Sequence, residues 1–187
     1  MDLADPAAPA AIFEAAEALG TVTVLVNNAG VTGTIGPIQS LTDAALQRIV
    51  DINLVAPVRL CREAARRWQG RDAPSHIVNI TSIAARTGSP GEYVAYAATK
   101  AALDALTVGL VRELAPHRIH VNAVSPGTID TTIHARAGQP DRAARVSERV
   151  PMKRPGHPDE IANAVAWLVS AEASYVTGSV LEVTGGL

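Results

Sequence analysis

The pattern of apolar and polar positions predicts that helices and strands alternate along this chain. The predicted helices span Ala7–Leu19, a segment from an N-cap at Thr42 to Gln69, Tyr93–Ala115, Arg142–Arg149 and Pro158–Val169. The predicted strands span Val22–Val26, His76–Thr81, Ile119–Val124 and Val180–Val183. Such alternation indicates right-handed βαβ crossovers. We therefore predict one α/β domain over residues 1–187, with a parallel sheet and helices on both of its faces.

Individual residues refine four of these segments. Val22–Val26 is mostly apolar, which predicts a strand that is buried on both faces. Pro57 lies well inside the second helix and predicts a kink, because its ring clashes with the preceding turn. Pro158 stands at the first position of its helix, where proline is favoured. Ser82–Glu92 contains two glycines and a proline, and is predicted to be a loop.

The composition supports a folded domain and argues against several classes of protein. Apolar residues make up 48% of the 187 residues and charged residues 18%, which is enough apolar surface for a core and argues against disorder. The formal net charge of −2 argues against a nucleic-acid partner or an anionic membrane surface. No apolar run approaches the roughly 20 residues of a membrane helix, so no membrane association is expected.

Cysteine and histidine positions bear on compartment and metal binding. The single cysteine, Cys61, excludes an internal disulfide and favours a reducing, cytoplasmic location. We expect Cys61 to pack inside the domain. His76, His117 and His120 are expected to flank strands and face solvent, and none of the five histidines shows a metal-binding spacing. No metal site is predicted.

Candidate chemistry lies just after the predicted strands, because ligands of open α/β sheets bind beyond the carboxyl ends of the strands. Tyr96 and Lys100 are four residues apart on the helix that follows the second strand, so they share a helical face. A free tyrosine has a pKa near 10, and a nearby lysine cation lowers it. The Ser82 hydroxyl leaves a strand tip, where it can bond a substrate oxygen. These three residues predict an acid/base unit that moves a proton on or off an alcohol.

Two alternatives remain open from the residues alone. Tyr93 is seven residues before Lys100, so it can share the same helical face, and helical spacing does not choose between the two tyrosines. Arg142, Arg145 and Arg149 form a basic helical edge, which is interpreted as a solvated face or as a contact for an anionic substrate.

Taken together, the motifs resemble those of the short-chain dehydrogenase/reductase family. The motifs occur in the family's order and cover essentially the whole chain. They are Asn27-Asn28-Ala29-Gly30, Asn53, Ile77-Val78-Asn79-Ile80-Thr81-Ser82, Tyr96-Ala97-Ala98-Thr99-Lys100 and Ser125-Pro126-Gly127-Thr128-Ile129-Asp130-Thr131. The family spacing favours Tyr96 over Tyr93, and Tyr93 is then expected to line the substrate pocket.

The resemblance implies a hydride transfer between NAD or NADP and a secondary alcohol or ketone, with a small molecule as the substrate. It implies that Tyr96 is the catalytic acid/base, that Lys100 activates it and binds the nicotinamide ribose, and that Ser82 holds the substrate oxygen. Asn53 is similar to the residue that anchors a water in the proton relay. The most similar members are expected among bacterial sugar dehydrogenases and oxoacyl-carrier-protein reductases.

The same resemblance implies a set of cofactor-binding residues. Asp2-Leu3 is similar to the acidic pair beside the adenine ring. Asn27, Ala29 and Gly30 resemble the segment that lies against the adenosine. The loop around the nicotinamide corresponds to Pro126, Gly127, Ile129 and Thr131. The implied fold is Rossmann-like, and the implied assembly is a homodimer or homotetramer.

One expected feature of the family is missing from the 187 residues. The first predicted strand matches the family's fourth, so the earlier strands, two βα units and the glycine-rich pyrophosphate turn are expected to precede Asp2. The sequence therefore predicts an N-terminally truncated domain in which Val22, Val24 and Val26 lie on an uncovered sheet edge. Two functions stay open: an oxidoreductase, or a non-catalytic oligomerisation or regulatory module that binds no nicotinamide cofactor.

Overall fold

A four-stranded parallel sheet organises the structure, a computed structural model that describes residues 1–187. The strands are β1 (Val24–Asn27), β2 (Ser75–Ile80), β3 (Ile119–Pro126) and β4 (Val180–Val183), and they lie in the order β1-β2-β3-β4. In register, Asn27 stands opposite Asn79, and Asn79 opposite Ala123. The predicted parallel sheet is confirmed, and the carboxyl ends of its strands open onto one edge.

Eight α-helices connect and cover these strands. They are α1 (Ala8–Glu17), α2 (Asp43–Val50), α3 (Ala56–Trp68), α4 (Ala84–Thr87), α5 (Val94–Leu114), α6 (Ile133–Arg136), α7 (Arg142–Ser147) and α8 (Pro158–Leu168). On one face of the sheet Phe13, Trp68 and Leu114 pack with Ile77 and Val121 in a buried cluster. On the other face Leu168 of α8 packs against Val78 and Val124. The prediction of helices on both faces is therefore confirmed.

Strand β1 is an edge strand that is open on one face. Val24 is 38% exposed and Val26 39% exposed, whereas Asn27 is buried. The prediction that this strand is buried on both faces is wrong, because α8 packs on β3 and β4 and does not reach β1. The expectation of an uncovered edge is confirmed for Val24 and Val26, since β1 is the terminal strand of the sheet, but Val22 lies before β1 and packs against the core.

Where the sequence predicted a kink at Pro57, the structure has a change of helix type. A π-helical turn, Asp51–Val55, lies between α2 and α3, and Pro57 falls in the first turn of α3. Pro57 has no N–H to continue the ladder of hydrogen bonds from this turn, and the π-helical turn, in which the Ala56 N–H bonds the Asp51 carbonyl, lies directly before it. At the other end, Thr42 caps α2 as predicted, with its Oγ1 accepting from the Ala45 N–H at 3.3 Å.

Two short helices lie where the sequence predicted irregular structure. Ser82–Glu92 was expected to be a loop, but it contains α4. The Ser82 Oγ accepts from the Ala84 N–H at 3.1 Å at the start of this turn, and Gly88, with a φ of +70°, ends it. Such a single capped turn has no apolar periodicity of its own, so it left no signal in the sequence. Helix α6 is likewise a single turn, without a side-chain cap, in a segment where the sequence predicted no element.

The histidines of the central strands are not at the strand flanks. His76 and His120 lie inside β2 and β3 in register, and their rings stack with centroids 5.0 Å apart. Both are partly buried, with their Nδ1 atoms unpartnered. The expectation that they face solvent is wrong. Along each strand the histidine points to one face of the sheet and its two neighbours to the other, and the sheet is covered on both faces.

Helix α5 is more apolar than the sequence pattern indicated. With the following turn to His117 it is long and apolar enough to cross a membrane by length and composition alone. Core helices of folded domains meet the same criterion. In this fold α5 packs against β3 and contributes Leu103 and Leu114 to the buried residues.

Candidate active site

A cavity of about 970 Å³ opens at the carboxyl edge of the sheet. Its walls contain eight of the predicted site residues: Gly30, Ser82, Tyr96, Lys100, Pro126, Gly127, Ile129 and Thr131. They come from the ends of β1, β2 and β3 and from α5. Residues with no assigned role in the sequence analysis line it too, and the polar ones include Asn28, Thr81, Glu92 and His134. The predicted site is thus largely brought together by the fold.

Tyr96 is nearly enclosed in this cavity. It is 8% exposed and packs with Ala84 and Ala97. Burial raises the pKa of its phenol to about 12, and the Ser82 hydroxyl opposes only part of that rise. A lysine-lowered pKa was expected from the sequence, but here desolvation of the phenolate outweighs the favourable contacts. Tyr96 therefore carries its proton at neutral pH.

Lys100 is the buried cation of the site. It is 3% exposed, its Nζ donates to the carbonyl of Ile80 at 2.6 Å, and the same atom lies 5.6 Å from the centre of the Tyr96 ring. Burial lowers the pKa of the ammonium to about 8, against the opposing effect of Asp104 one turn later on α5. The bond to the end of β2 directs the ammonium to the edge of the sheet, where the cavity lies.

Asn53 is fully buried in the π-helical turn, behind the cavity wall. Its Oδ1 accepts from the Val31 N–H at 2.9 Å, and its Nδ2 donates to the Val31 carbonyl at 2.8 Å. The side chain therefore anchors the backbone that follows β1. Gly30 lies between Asn53 and Lys100, since a Cβ at this position would be 3.4 Å from Asn53 Oδ1 and 3.6 Å from Lys100 Nζ.

Tyr93 lines the same cavity at the start of α5. Its ring meets that of Tyr96 edge-on, with centroids 5.4 Å apart. Burial raises the pKa of Tyr93 as well. Arg142 also contacts the Tyr93 ring, with its guanidinium carbon 5.1 Å from the ring centre. Tyr93 thus contacts both Tyr96 and a basic residue of α7.

Four of the predicted cofactor residues lie outside the cavity walls. Asn27 is buried and donates to Asn79 Oδ1 at 2.8 Å and to Cys61 Sγ at 3.3 Å, which ties β1 to β2 and α3. The expectation that Cys61 packs inside the domain is confirmed. Ala29 is exposed and does not line the cavity.

Asp2 and Leu3 lie on another part of the surface. Asp2 is exposed and pairs with Arg48 at 2.8 Å, while Leu3 packs at the margin of the core beside α1. The fold therefore does not bring Asp2 and Leu3 to the cavity with the other candidates.

The tertiary structure explains why residue 127 is a glycine, which the sequence alone did not. A Cβ at this position would meet the backbone of Thr184, at 2.8 Å from its Cα and 2.9 Å from its carbonyl oxygen. The close approach holds the loop after β3 against the end of β4, where Gly127 donates to the Val183 carbonyl at 3.0 Å. Glycine at this position thus forms the floor of the cavity.

We expect Gly127→Ala to destabilise the fold by about 1–3 kcal/mol, because the added methyl forces two backbone segments apart. The measurement is the free energy of unfolding from urea titration. Gly109→Ala is the matched control, since Gly109 lies in α5 with open space at its Cβ position and should gain up to about 1 kcal/mol of helix propensity. An unchanged stability of Gly127→Ala would contradict the close approach.

The sheet, its covering helices and the cavity at the strand ends define a Rossmann-type α/β protein with an oxidoreductase-like site. The family profile described as "Enoyl-(Acyl carrier protein) reductase" matches residues 1–187. The chain is 46% identical over 167 residues to "Uncharacterized oxidoreductase YgfF" of Escherichia coli (strain K12), covering 88% of this chain and 68% of the relative. The chain belongs to the short-chain dehydrogenase/reductase family of oxidoreductases.

Solved structures agree with this assignment. The 3-ketoacyl-(acyl-carrier-protein) reductase from Brucella melitensis, complexed with NADH, superposes with a TM-score of 0.91 at 30% identity, over 99% of this chain and 75% of that one. A blue fluorescent protein from a metagenomic library, in complex with NADPH, has a TM-score of 0.86 at 35% identity, over 99% and 73% of the two chains. The predicted family and fold class are therefore confirmed.

Proposed function

We propose that the chain catalyses hydride transfer between NAD(H) or NADP(H) and a small secondary alcohol or ketone, with Tyr96 as the proton donor and acceptor. The observation that carries the proposal is the convergence of Tyr96, Ser82 and Lys100 in one cavity at the carboxyl edge of the sheet. The NADH and NADPH complexes of the two solved relatives support the choice of cofactor.

Reduction of a ketone follows from the protonation state of the site. With a pKa of about 12, Tyr96 carries its proton at neutral pH and can donate it to the substrate oxygen as the carbonyl carbon is reduced. The Ser82 hydroxyl lies beside the phenol and holds the same oxygen in reach. In the direction of alcohol oxidation Tyr96 must first lose its proton, which the buried site disfavours.

The cavity fits a nicotinamide cofactor by its size and by the groups that it presents. Lys100 contributes a buried ammonium that can donate to ribose hydroxyls, and Asn28 and Thr131 present polar side chains at the same edge. A bound nicotinamide would supply or accept the hydride. Asn53 would contribute indirectly, by holding Val31 and thereby the position of Gly30 against Lys100.

The alternative function is a non-catalytic module that assembles through its surface. It is favoured by the open edge at β1, where Val24 and Val26 are exposed, since exposed apolar strands pair readily with other chains. The homodimer or homotetramer expected for the family would use small residues of α5 such as Ala98, Ala101 and Ala105, which are exposed. A cytoplasmic location remains part of the proposal for either function.

Cofactor titration separates the two functions. NADH and NADPH are titrated into the chain while their fluorescence is followed, and we expect saturable binding of at least one. Turnover is then measured with a panel of sugars, steroids and oxoacyl thioesters. Absence of binding by either nucleotide at millimolar concentration, in a chain that is folded by circular dichroism, would contradict the enzyme and support the module.

A further inference from the structure

The part of the cavity beside Tyr93 is basic. Arg142 and Arg149 line it together with one acidic side chain, that of Glu92, and with His134, whose pKa is lowered by burial and by Arg142 so that its ring is neutral. Apolar neighbours such as Ile133 and Val146 lie among them. Because apolar walls lower the local dielectric, charges in such a place act more strongly on a ligand than charges in water. The excess of basic side chains favours an anionic ligand group there.

Arg142 is the unusual member of this group. Its side chain is only 7% exposed, and its Nη2 donates to Glu92 Oε2 at 2.5 Å. Its Nε is buried and has no hydrogen-bond partner in the protein. A buried donor without a partner costs free energy, and native proteins contain few of them. Arg142 therefore has unused hydrogen-bonding capacity inside the wall of the cavity.

A ligand carboxylate can replace Glu92 as the partner of Arg142. Glu92 is 36% exposed, far more than Arg142, so its carboxylate can return to water at a lower cost than the guanidinium can. A planar guanidinium binds a carboxylate through two parallel N–H donors. A ligand carboxylate can therefore share or replace the Glu92 contact at Nη2, and the guanidinium can then turn its free Nε toward the same carboxylate, without leaving a charge unpaired.

Tyr93 sets the spacing between this cation and the proton donor. Its ring contacts both groups, with its centre 5.1 Å from the Arg142 guanidinium carbon and 5.4 Å from the centre of the Tyr96 ring. A ligand that reaches from Tyr96 to Arg142 therefore passes along one aromatic ring. The span from Tyr96 to Arg142 along this ring suits a short aliphatic chain with a carbonyl or hydroxyl oxygen near one end and a carboxylate at the other.

We propose that Arg142 is a specificity-determining residue that binds a substrate carboxylate, so that the substrate is a keto acid or hydroxy acid of short chain. The proposal rests on the proposed function for the identity of the reacting group. Arg142 contributes affinity and orientation through the carboxylate and takes no part in the proton transfer at Tyr96. Glu92 neutralises Arg142 while the ligand is absent.

A matched pair of ketones tests the proposal by binding alone. 4-Oxopentanoate and 2-pentanone share a methyl ketone on a five-carbon chain and differ in the terminal carboxylate. Each is titrated calorimetrically into the chain in the presence of NAD⁺ and, separately, of NADP⁺, so that no reduction accompanies binding. We expect 4-oxopentanoate to bind at least about tenfold more tightly, the effect of a hydrogen bond to a charged group. Equal affinities would overturn the proposal.

Variants of the ion pair distinguish ligand binding from a structural role. Arg142→Gln should abolish the preference for 4-oxopentanoate and leave the affinity for 2-pentanone unchanged, and Arg142→Lys should keep part of the preference. Glu92→Gln breaks the same internal pair but should maintain or increase the preference, because it removes the competing carboxylate. If Glu92→Gln loses the preference as completely as Arg142→Gln, the pair only holds the wall in place and the proposal is overturned.

The outcome also separates this proposal from the proposed function. Tight, Arg142-dependent binding of 4-oxopentanoate without its reduction by NADH or NADPH would contradict the oxidoreductase and leave the carboxylate site standing. Reduction of both ketones with equal kcat/KM would contradict the carboxylate site and leave the oxidoreductase standing. Arg142→Lys keeps the test decisive if Arg142→Gln fails to fold, because it retains the charge that faces Glu92.

Discussion

Tyr96→Phe is expected to lower kcat by about 10²- to 10⁴-fold, the usual contribution of a positioned general acid or base. The substitution removes one oxygen and keeps the ring that packs with Ala84 and Ala97. Cofactor affinity, measured by titration with NADH or NADPH, should therefore stay within about twofold, because less than RT of binding free energy changes. The measurement is single-turnover kinetics with a ketone that the wild-type chain reduces.

Tyr93→Phe is the matched control for this experiment, since Tyr93 lines the same cavity and touches the same ring. It should retain most of the turnover. If Tyr93→Phe loses activity and Tyr96→Phe does not, the two roles are reversed. If neither variant loses activity, the proton comes from another group and the proposed mechanism fails.

Lys100→Met is expected to change the pH dependence of stability. The folded pKa of about 8 lies below the ordinary value of 10.5, so the unfolded chain binds more protons between these pH values. The wild type therefore gains stability as the pH rises from about 8 to 10.5, by about 3 kcal/mol. At lower pH both states are charged and the full cost of burying the cation is present. The methionine variant lacks this dependence.

The measurement is the difference in unfolding free energy between the wild type and Lys100→Met across that pH range. Burial raises the pKa values of Cys61 and Tyr96 to about 12, which lowers stability at alkaline pH, but both groups are present in the two proteins and largely cancel. Lys153, the other lysine of the chain, is exposed. Lys153→Met should behave as the wild type. If the difference in unfolding free energy between the wild type and Lys100→Met does not change with pH, the Lys100 ammonium is well solvated and the prediction is wrong.

The affinity of Lys100→Met for the cofactor is a second measurement on the same variant. Losing a charge-assisted donor to a ribose hydroxyl should weaken NADH or NADPH binding by about tenfold or more. Arginine at the same position retains the charge but is too large for the space beside Gly30 and Tyr96, so Lys100→Arg should not restore the wild-type affinity. Unchanged affinity in the methionine variant would remove Lys100 from the proposed cofactor site.

Local sequence signals were sufficient for most of the architecture. Val180–Val183 is a strand with the predicted bounds, Thr42 caps its helix, and Pro158 begins α8. Such features depend on residues that are near one another in the chain, so propensity and periodicity describe them well. The short helix α4 and the π-helical turn at Asn53 were missed because backbone contacts and caps, rather than an apolar repeat, hold them.

The candidate site was predicted in part for a similar reason. Lys100, Ser82 and a tyrosine on the same helical face follow from helical spacing and from the rule that strand ends form the ligand edge, whereas the choice of Tyr96 over Tyr93 rests on the family resemblance. Tyr96, Lys100 and Ser82 all line the cavity. The role of Arg142 stayed open between a solvated face and an anion contact. Its burial against Tyr93 and Glu92 depends on residues about 50 positions apart, which no local pattern encodes.

By itself the sequence determined the alternation of strands and helices, the parallel sheet and the identity of the groups at its carboxyl edge. Those features arise from side-chain periodicity and from backbone preferences that act over a few residues. Only the tertiary structure decided that the pKa of Tyr96 is raised and that of Lys100 lowered, that Asp2 and Leu3 lie outside the cavity and that β1 is open on one face. These properties depend on which groups are removed from water, and burial is set by contacts between distant segments.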